Sequence, residues 1–235
     1  MKLFTNKQNI TDTEIFIRGE DVNHIKNVMR LSKGDTITVC DGEKNDYLCE
    51  IIGLIKEKAH LSILEKSLNE NEPSTKITLY QALPKAGKLE EIIQKATELG
   101  INEIIPIETA YSVVKVKDMN EKKYERYEKV AKAAAQQCKR GVIPIIKSVQ
   151  HFKDIQPKGT TILAYEKETL SFANDLKIEN DCSIIVGAEG GFSEEEISLA
   201  KERSFHVISL GKRILRLETA SIVLATLVLN AKGEF

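Results

Sequence analysis

Two short stretches of this 235-residue chain gather residue types that chemistry uses. In "SLGKRILRLETA" (209–220), Lys212, Arg213, Arg216 and Glu218 stand among Ile214, Leu215 and Leu217. A surface loop has no need of the three aliphatics, and a core segment has none of the arginines. In "VGAEGGFSEEE" (186–196), Gly187, Gly190 and Gly191 let the backbone approach a ligand closely, and the helix that follows favours a negative group at its N-terminus. A cation such as Arg216 can stabilise developing negative charge, and Glu189 or Glu218 can accept a proton. Glu218 serves equally well as the structural partner of an arginine. The glycine turn is no GxGxxG and follows a late strand, and the chain has no Walker A sequence. Taken alone, the turn reads as a plain strand–helix connection as readily as a site.

The elements that hold these stretches make the site reading stronger. Both loops follow an apolar strand and precede a helix. "AYEKET" (164–169) is a third loop of that kind. In an open α/β sheet such loops meet at the carboxyl edge, where ligands bind. From residue 76 onward strands and helices alternate: "KITLYQAL", "KLEEIIQKATELG", "INEIIPI", "NEKKYERYEKVAKAAAQQCKRG", "VIPIIKSV", "TTILAYE", "CSIIVGAEGG", "SEEEISLAKER" and "FHVISLG". This predicts an α/β domain with a mostly parallel sheet and helices on both faces. Ser193 and Glu196 match a capping box. Residues 1–68 instead read as short strands and turns of a small β-barrel, with one helix at "DVNHIKNVMRL" capped by Asp21. "LNENEPST" (68–75) reads as the linker, dividing the chain into domains 1–70 and 76–235.

Bulk composition excludes more than it selects. The formal net charge is −1, so no global electrostatic footprint announces nucleic acid. Residues 121–147 are locally basic and 166–202 acidic; a solvated helix face explains the first as well as a polyanion does. Cys40, Cys49, Cys138 and Cys182 form no CxxC pair and read as core residues of a cytosolic protein, with no metal site implied. The N-terminus lacks a signal-peptide stretch, and no apolar run reaches membrane-spanning length.

"PKAGKLEEIIQKATELGINEIIPI", "AAAQQCKRGVIP", "VGAEGGFSEEEI" and "LGKRILRLETA" together resemble the bacterial family of small-subunit (16S) ribosomal RNA (uracil-N3)-methyltransferases, of the SPOUT superfamily. The resemblance covers nearly the whole chain, with "HIKNVMRLSKGD" similar to that family's PUA-like RNA-binding barrel. Two departures stand out: Ala188 where the family has proline, and Leu217 where it has threonine.

The resemblance implies a deep C-terminal trefoil knot, a homodimer and S-adenosylmethionine as cofactor, in a cytoplasmic protein without membrane contact. The implied cofactor-binding set is Leu163, Tyr165, Gly187, Gly190, Gly191, Leu210, Gly211, Ile214, Leu215, Leu217 and Thr219. Arg216 is the expected catalytic cation, with Glu218 and Glu189 as the other catalytic candidates. Arg30, Lys85, Lys88 and Arg140 are expected on the RNA, with Lys26 near it; for Lys85 and Lys88 ordinary solvation is an open alternative, and a lone histidine such as His24 reads as structural first. For Arg140, a cation satisfying the last carbonyls of its helix is an equal alternative. The rival to an enzyme is a dimeric RNA-binding or ribosome-assembly factor without turnover.

Overall fold

The computed structural model describes residues 2–85, 87–169 and 177–234, which form two compact units. One comprises Met1–Glu72 with Ala135–Ile143, the other Pro73–Ala134 with Pro144–Phe235.

The first unit holds β1 (Lys2–Phe4), β2 (Glu14–Arg18), α1 (Glu20–Asn23), β3 (Thr36–Cys40), β4 (Asn45–Leu54) and β5 (Lys58–Leu68), the strands in the order β1-β3-β4-β5-β2. Only β1 and β3 run parallel; the other pairs are antiparallel. Alternation in "EIFIR" buries Ile15 and Ile17 and turns Phe16 and Arg18 outward. These isoleucines join Leu3, Val39, Ile51 and Leu61 in the core. The predicted helix forms, with a correction. Gly19, at φ +71°, occupies the cap position, Asp21 lies in the first turn, and His24–Val28 continue as a π-helical turn. A left-handed residue reverses the chain after β2, and glycine takes that geometry without penalty.

The boundary between the two units falls inside the polar 68–75 stretch, after Glu72, and the side chains of Asn69 and Glu72 are buried with partners in the first unit. Asn69 donates to Asp46 Oδ2 (2.8 Å) and to the Lys139 carbonyl (3.1 Å). The Glu72 carboxylate receives Arg140 Nε (3.1 Å) and Nη2 (2.8 Å) and the N–H groups of Gly141 (2.9 Å) and Val142 (3.2 Å). Both side chains of this pair are 2% exposed. Lys2 adds an ion pair to Asp46 (2.7 Å) and donates to the carbonyls of Lys139 and Arg140, both at 3.1 Å. Composition alone cannot separate such buried, satisfied polarity from the polarity of a solvated connection.

The second unit carries β6 (Lys76–Ala82), α2 (Lys88–Glu98), β7 (Glu103–Glu108), α3 (Glu121–Gln137), β8 (Ile145–Ile146), β9 (Gln150–His151), β10 (Thr160–Ala164), β11 (Asp181–Val186), α4 (Glu194–Glu202), β12 (His206–Ile208) and α5 (Leu217–Ala231). The last three residues of α3, Ala135–Gln137, cluster with the first unit. Seven strands make one sheet in the order β12-β10-β11-β6-β7-β8, with β9 also on β7. Every pairing in it is parallel, as expected. The single strand expected at "VIPIIKSV" is split into β8 and β9, because the Val149 N–H turns to the Tyr124 hydroxyl (2.9 Å). α2 buries Leu89, Ile92, Ile93 and Ala96 and ends at Gly100, φ +89°. The capping box of α4 is present, Ser193 and Glu196 exchanging both bonds (2.9 and 3.2 Å).

α5 is apolar nearly all round and packs on α2, β6 and β11. One polar contact fixes its register. The buried Ser221 hydroxyl donates to Oε1 of the fully buried Gln81 on β6 (2.5 Å). Beyond α5, the Glu234 carboxylate receives the N–H and hydroxyl groups of both Ser74 and Thr75, at 2.6–3.2 Å.

Candidate active site

The strand order β12-β10-β11 sets three loops side by side at the carboxyl ends of those strands. They line one cavity of ≈ 330 Å³ with Ala164–Glu166, Val186–Glu189, Gly191 and Ser209–Leu217; Lys88 and Ala220 complete it. That volume lies within the usual range for small-molecule sites.

The turn at 188–191 shapes one wall. The Gly191 N–H closes it onto the Ala188 carbonyl (3.0 Å), with Gly191 at φ +69°, so no proline is needed at 188. A Cβ on Gly187 would come within 3.0 Å of the Phe192 ring and 3.2 Å of the Gly191 backbone. Gly190 has a different reason to be glycine. A Cβ there would meet the Tyr111 Cβ at 2.8 Å, on the loop after β7.

Charge is distributed unevenly around the cavity. Lys88 Nζ lies 3.7 Å from Glu189 and 3.5 Å from Glu218, and Glu189 also accepts the Lys85 N–H (3.2 Å). Glu218 sits in the first turn of α5. Its own backbone N–H, above all, then Lys88 and Arg216, hold its carboxyl below the usual carboxylate range. Glu218 is therefore ionised at neutral pH and a weak base. The exposed Glu166 carboxylate lies beside Gly191, where a Cβ would be 2.9 Å from Oε1. Lys212, Arg213 and Arg216 are exposed on the loop before α5.

Of the residues singled out from sequence, the cavity gathers Tyr165, Gly187, Glu189, Gly191, Leu210, Gly211, Ile214, Leu215, Arg216, Leu217 and Lys88. Leu163 is fully buried in the core. Gly190 faces Tyr111, exposed Thr219 is not among the lining residues, and Glu218 reaches the cavity through Lys88. Lys85 is exposed beside Glu189. Arg30 and Arg140 belong to the first unit: Arg30 is exposed at φ +56°, whereas Arg140 is buried on Glu72. Its guanidinium is buried on the Glu72 carboxylate, a partner that neither reading, RNA nor the last carbonyls of α3, names. Sequence reasoning did not assign Glu166, Ser209, Lys212 or Arg213 to the site, although each stands inside or next to a loop already marked. Ile214, expected against a ligand ring, lines the cavity and is 85% exposed. Among the described residues no cluster of His, Cys, Asp and Glu is placed to hold a metal ion, and no helix is long and apolar enough to cross a membrane.

The RNA methyltransferase domain family matches residues 70–229, and the RNA methyltransferase PUA domain family matches 17–64. Ribosomal RNA small subunit methyltransferase E of Bacillus subtilis is 36% identical over 230 residues, 92% of this chain and 90% of that protein. The protein of the same name from Mesomycoplasma hyopneumoniae is 36% identical over 212 residues, covering 87% and 89%. A Legionella pneumophila protein solved with bound cofactor SAM shares the fold with a TM-score of 0.83 and 26% identity, covering 98% of this chain and 97% of that one. The S-adenosylmethionine-bound small subunit methyltransferase E of Neisseria gonorrhoeae shares the fold with a TM-score of 0.88, at 24% identity and 97% and 96% coverage.

Proposed function

This chain belongs to the ribosomal RNA small subunit methyltransferase E family, and we propose that within it the chain methylates N3 of one specific uridine of the small-subunit (16S) ribosomal RNA. It is an S-adenosylmethionine-dependent ribosomal RNA methyltransferase. One observation supports the cofactor part of this reading most: three strand-end loops converge on a cavity with an apolar wall, close-packed glycine backbone and charges of both signs. A flat heterocycle joined to a zwitterionic tail fits those surfaces, as S-adenosylmethionine has them.

The cofactor, when bound, supplies an activated methyl group. The protein's own part is then positioning and charge stabilisation. Leu210, Ile214, Leu215 and Leu217 provide the apolar wall for the adenine. Backbone at Gly187, Gly191 and Gly211 offers close approach. Arg216, exposed at the rim, is the cation that stabilises negative charge on the uracil oxygens as the N3 proton leaves. Glu218, with its lowered pKa, is better suited to holding Lys88 than to taking that proton. Glu189 stands at the same lysine, which leaves it the remaining candidate for the base. Lys88, which lines the cavity, and the exposed Lys85 beside Glu189 are the lysines this reading offers to RNA phosphates, and Arg30 of the PUA unit is its further backbone contact, of the kind that sets register rather than sequence.

A C-terminal trefoil knot and a homodimer belong to the same reading. The knot is supported by chain path: α5 follows edge strand β12 yet packs on β6 and β11 in mid-sheet. The homodimer is supported by surface: Ile214 is exposed, and Ile222, Val223 and Leu227 of α5 are only half-buried in one chain. A cytoplasmic location, where ribosomes are made, completes it.

Calorimetry with S-adenosylhomocysteine tests the pocket, and mass spectrometry of 16S ribosomal RNA from a strain lacking the chain tests the product. Loss of one 3-methyluridine is expected. A fully methylated RNA would overturn the uridine assignment.

A further inference from the structure

The charged residues of the cavity do not all find partners within the protein. Lys88 is shared by Glu189 and Glu218. Lys212, Arg213 and Arg216, on the loop after β12, make no ion pair among the described residues, and Lys212 and Arg213 lie nearest its start. Glu166, at the carboxyl end of β10, is the lining carboxylate for which the described residues offer no cation and no hydrogen-bond donor. Its neighbour Glu168 is served by Lys201 (3.1 Å), so a basic partner was within reach of this segment and went to the other carboxylate. The exposed Glu166 carboxylate lies beside Gly191, at the cavity's glycine turn: a Cβ there would lie 2.9 Å from Oε1 and 3.0 Å from Oε2. Adjacent strands β10 and β12 thus lead into loops that bring one unmatched anion and three unmatched cations to a single cavity.

We propose that Glu166 is the anchor for the α-ammonium group of the cofactor's amino-acid tail, with the tail's carboxylate directed to the basic loop at Lys212–Arg213. This rests on the cofactor reading above and deepens it. An ammonium is the ligand group that an unpaired carboxylate stabilises most, through a charge-assisted hydrogen bond. A zwitterionic tail is the one part of the cofactor that presents both signs within a short span. The adenosyl part is left to the apolar and glycine surfaces, so Glu166 determines recognition of the tail and not of the nucleoside.

The test compares two ligands by calorimetry on the full chain. S-adenosylhomocysteine carries the amino-acid tail; 5′-methylthioadenosine lacks it. Glu166→Gln is isosteric, sits on an exposed loop and should leave the unfolding temperature unchanged. It should weaken S-adenosylhomocysteine roughly tenfold, the loss of one charge-assisted bond at a solvated site, and leave 5′-methylthioadenosine within about twofold. Glu166→Asp, which keeps the charge on a shorter arm, should fall between. If Glu166→Gln binds S-adenosylhomocysteine as the wild type does, the assignment is wrong. It is equally wrong if both ligands weaken alike, for the carboxylate then holds the nucleoside. A folded wild-type chain that binds neither ligand would sink the cofactor reading itself, a result distinct from either.

Discussion

Replacing Arg140 by methionine keeps most of the volume of its side chain and removes the charge. Glu72 would then hold a carboxylate 2% exposed, with no cation and only the Gly141 and Val142 N–H groups as donors. Breaking one side of a buried pair costs about 3–5 kcal/mol, because the remaining charge has lost its water and its partner. The two backbone donors still stabilise the anion, so the lower end, about 3 kcal/mol, is expected. That is a large share of the roughly 5–15 kcal/mol that holds a folded domain. The chain has no tryptophan, so urea unfolding is best followed by far-ultraviolet circular dichroism. The midpoint should fall with an unchanged slope. Adding Glu72→Gln to Arg140→Met should recover part of the loss, since the stranded charge is then gone. Meanwhile the salt dependence of RNA binding should stay as in the wild type. The reasoning fails if Arg140→Met costs under about 1 kcal/mol, or if the salt slope of RNA binding drops by about one, the mark of a lost phosphate contact.

The Glu234 carboxyl is held down to about 2, first by the Ser74 hydroxyl and also by the N–H groups of Ser74 and Thr75 and the Thr75 hydroxyl. A depressed folded pKa contributes stability above the unfolded value and loses it as pH falls through the folded one. Glu234→Gln should thus cost about 1 kcal/mol at pH 7, after discounting for solvent, and the difference from wild type should vanish between about pH 4.5 and 2 in urea titrations. A difference that persists at pH 2 would mean that the charge is not the cause. Gly190→Ala drives a methyl onto the Tyr111 Cβ and should destabilise by about 1–3 kcal/mol by thermal unfolding, with recovery on adding Tyr111→Gly; a neutral Gly190→Ala contradicts the close packing. Arg216→Ala should lower methyl transfer by about 10²–10³-fold while S-adenosylhomocysteine affinity changes little. Equal losses in binding and turnover would make Arg216 a binding residue instead.

The periodicity of "KLEEIIQKATELG" and the Ser193–Glu196 cap describe local structure, and both were legible because their causes lie within one turn or a few. The loops that form the cavity were legible for a related reason: strand, glycine and helix start are adjacent in sequence. Arg140 and Gly190 were less so. The burial of Arg140 depends on Glu72, and the need for glycine at 190 depends on Tyr111, partners far away in the chain. Glu166 stood in a marked loop, yet nothing local distinguishes it from Glu168; only the position of Lys201 does. Splitting of the strand at 142–149 likewise came from Tyr124, on a helix whose tyrosines read simply as core.

The parallel sheet has one consequence for how the chain is made. β6 is the first strand of its unit to be synthesised, yet Lys76 pairs with Asp181 and Gln81 with Val186. Until β11 emerges, one edge of β6, with the apolar side chains of Ile77, Leu79 and Tyr80, has no neighbour on that side. Long-range parallel pairing of this kind folds slowly and leaves an open edge that other chains can join. Growth conditions that slow translation between residues 108 and 181 should therefore divert nascent chains to chaperones or aggregates, whereas the first unit's strands, complete by Leu68, are already in hand.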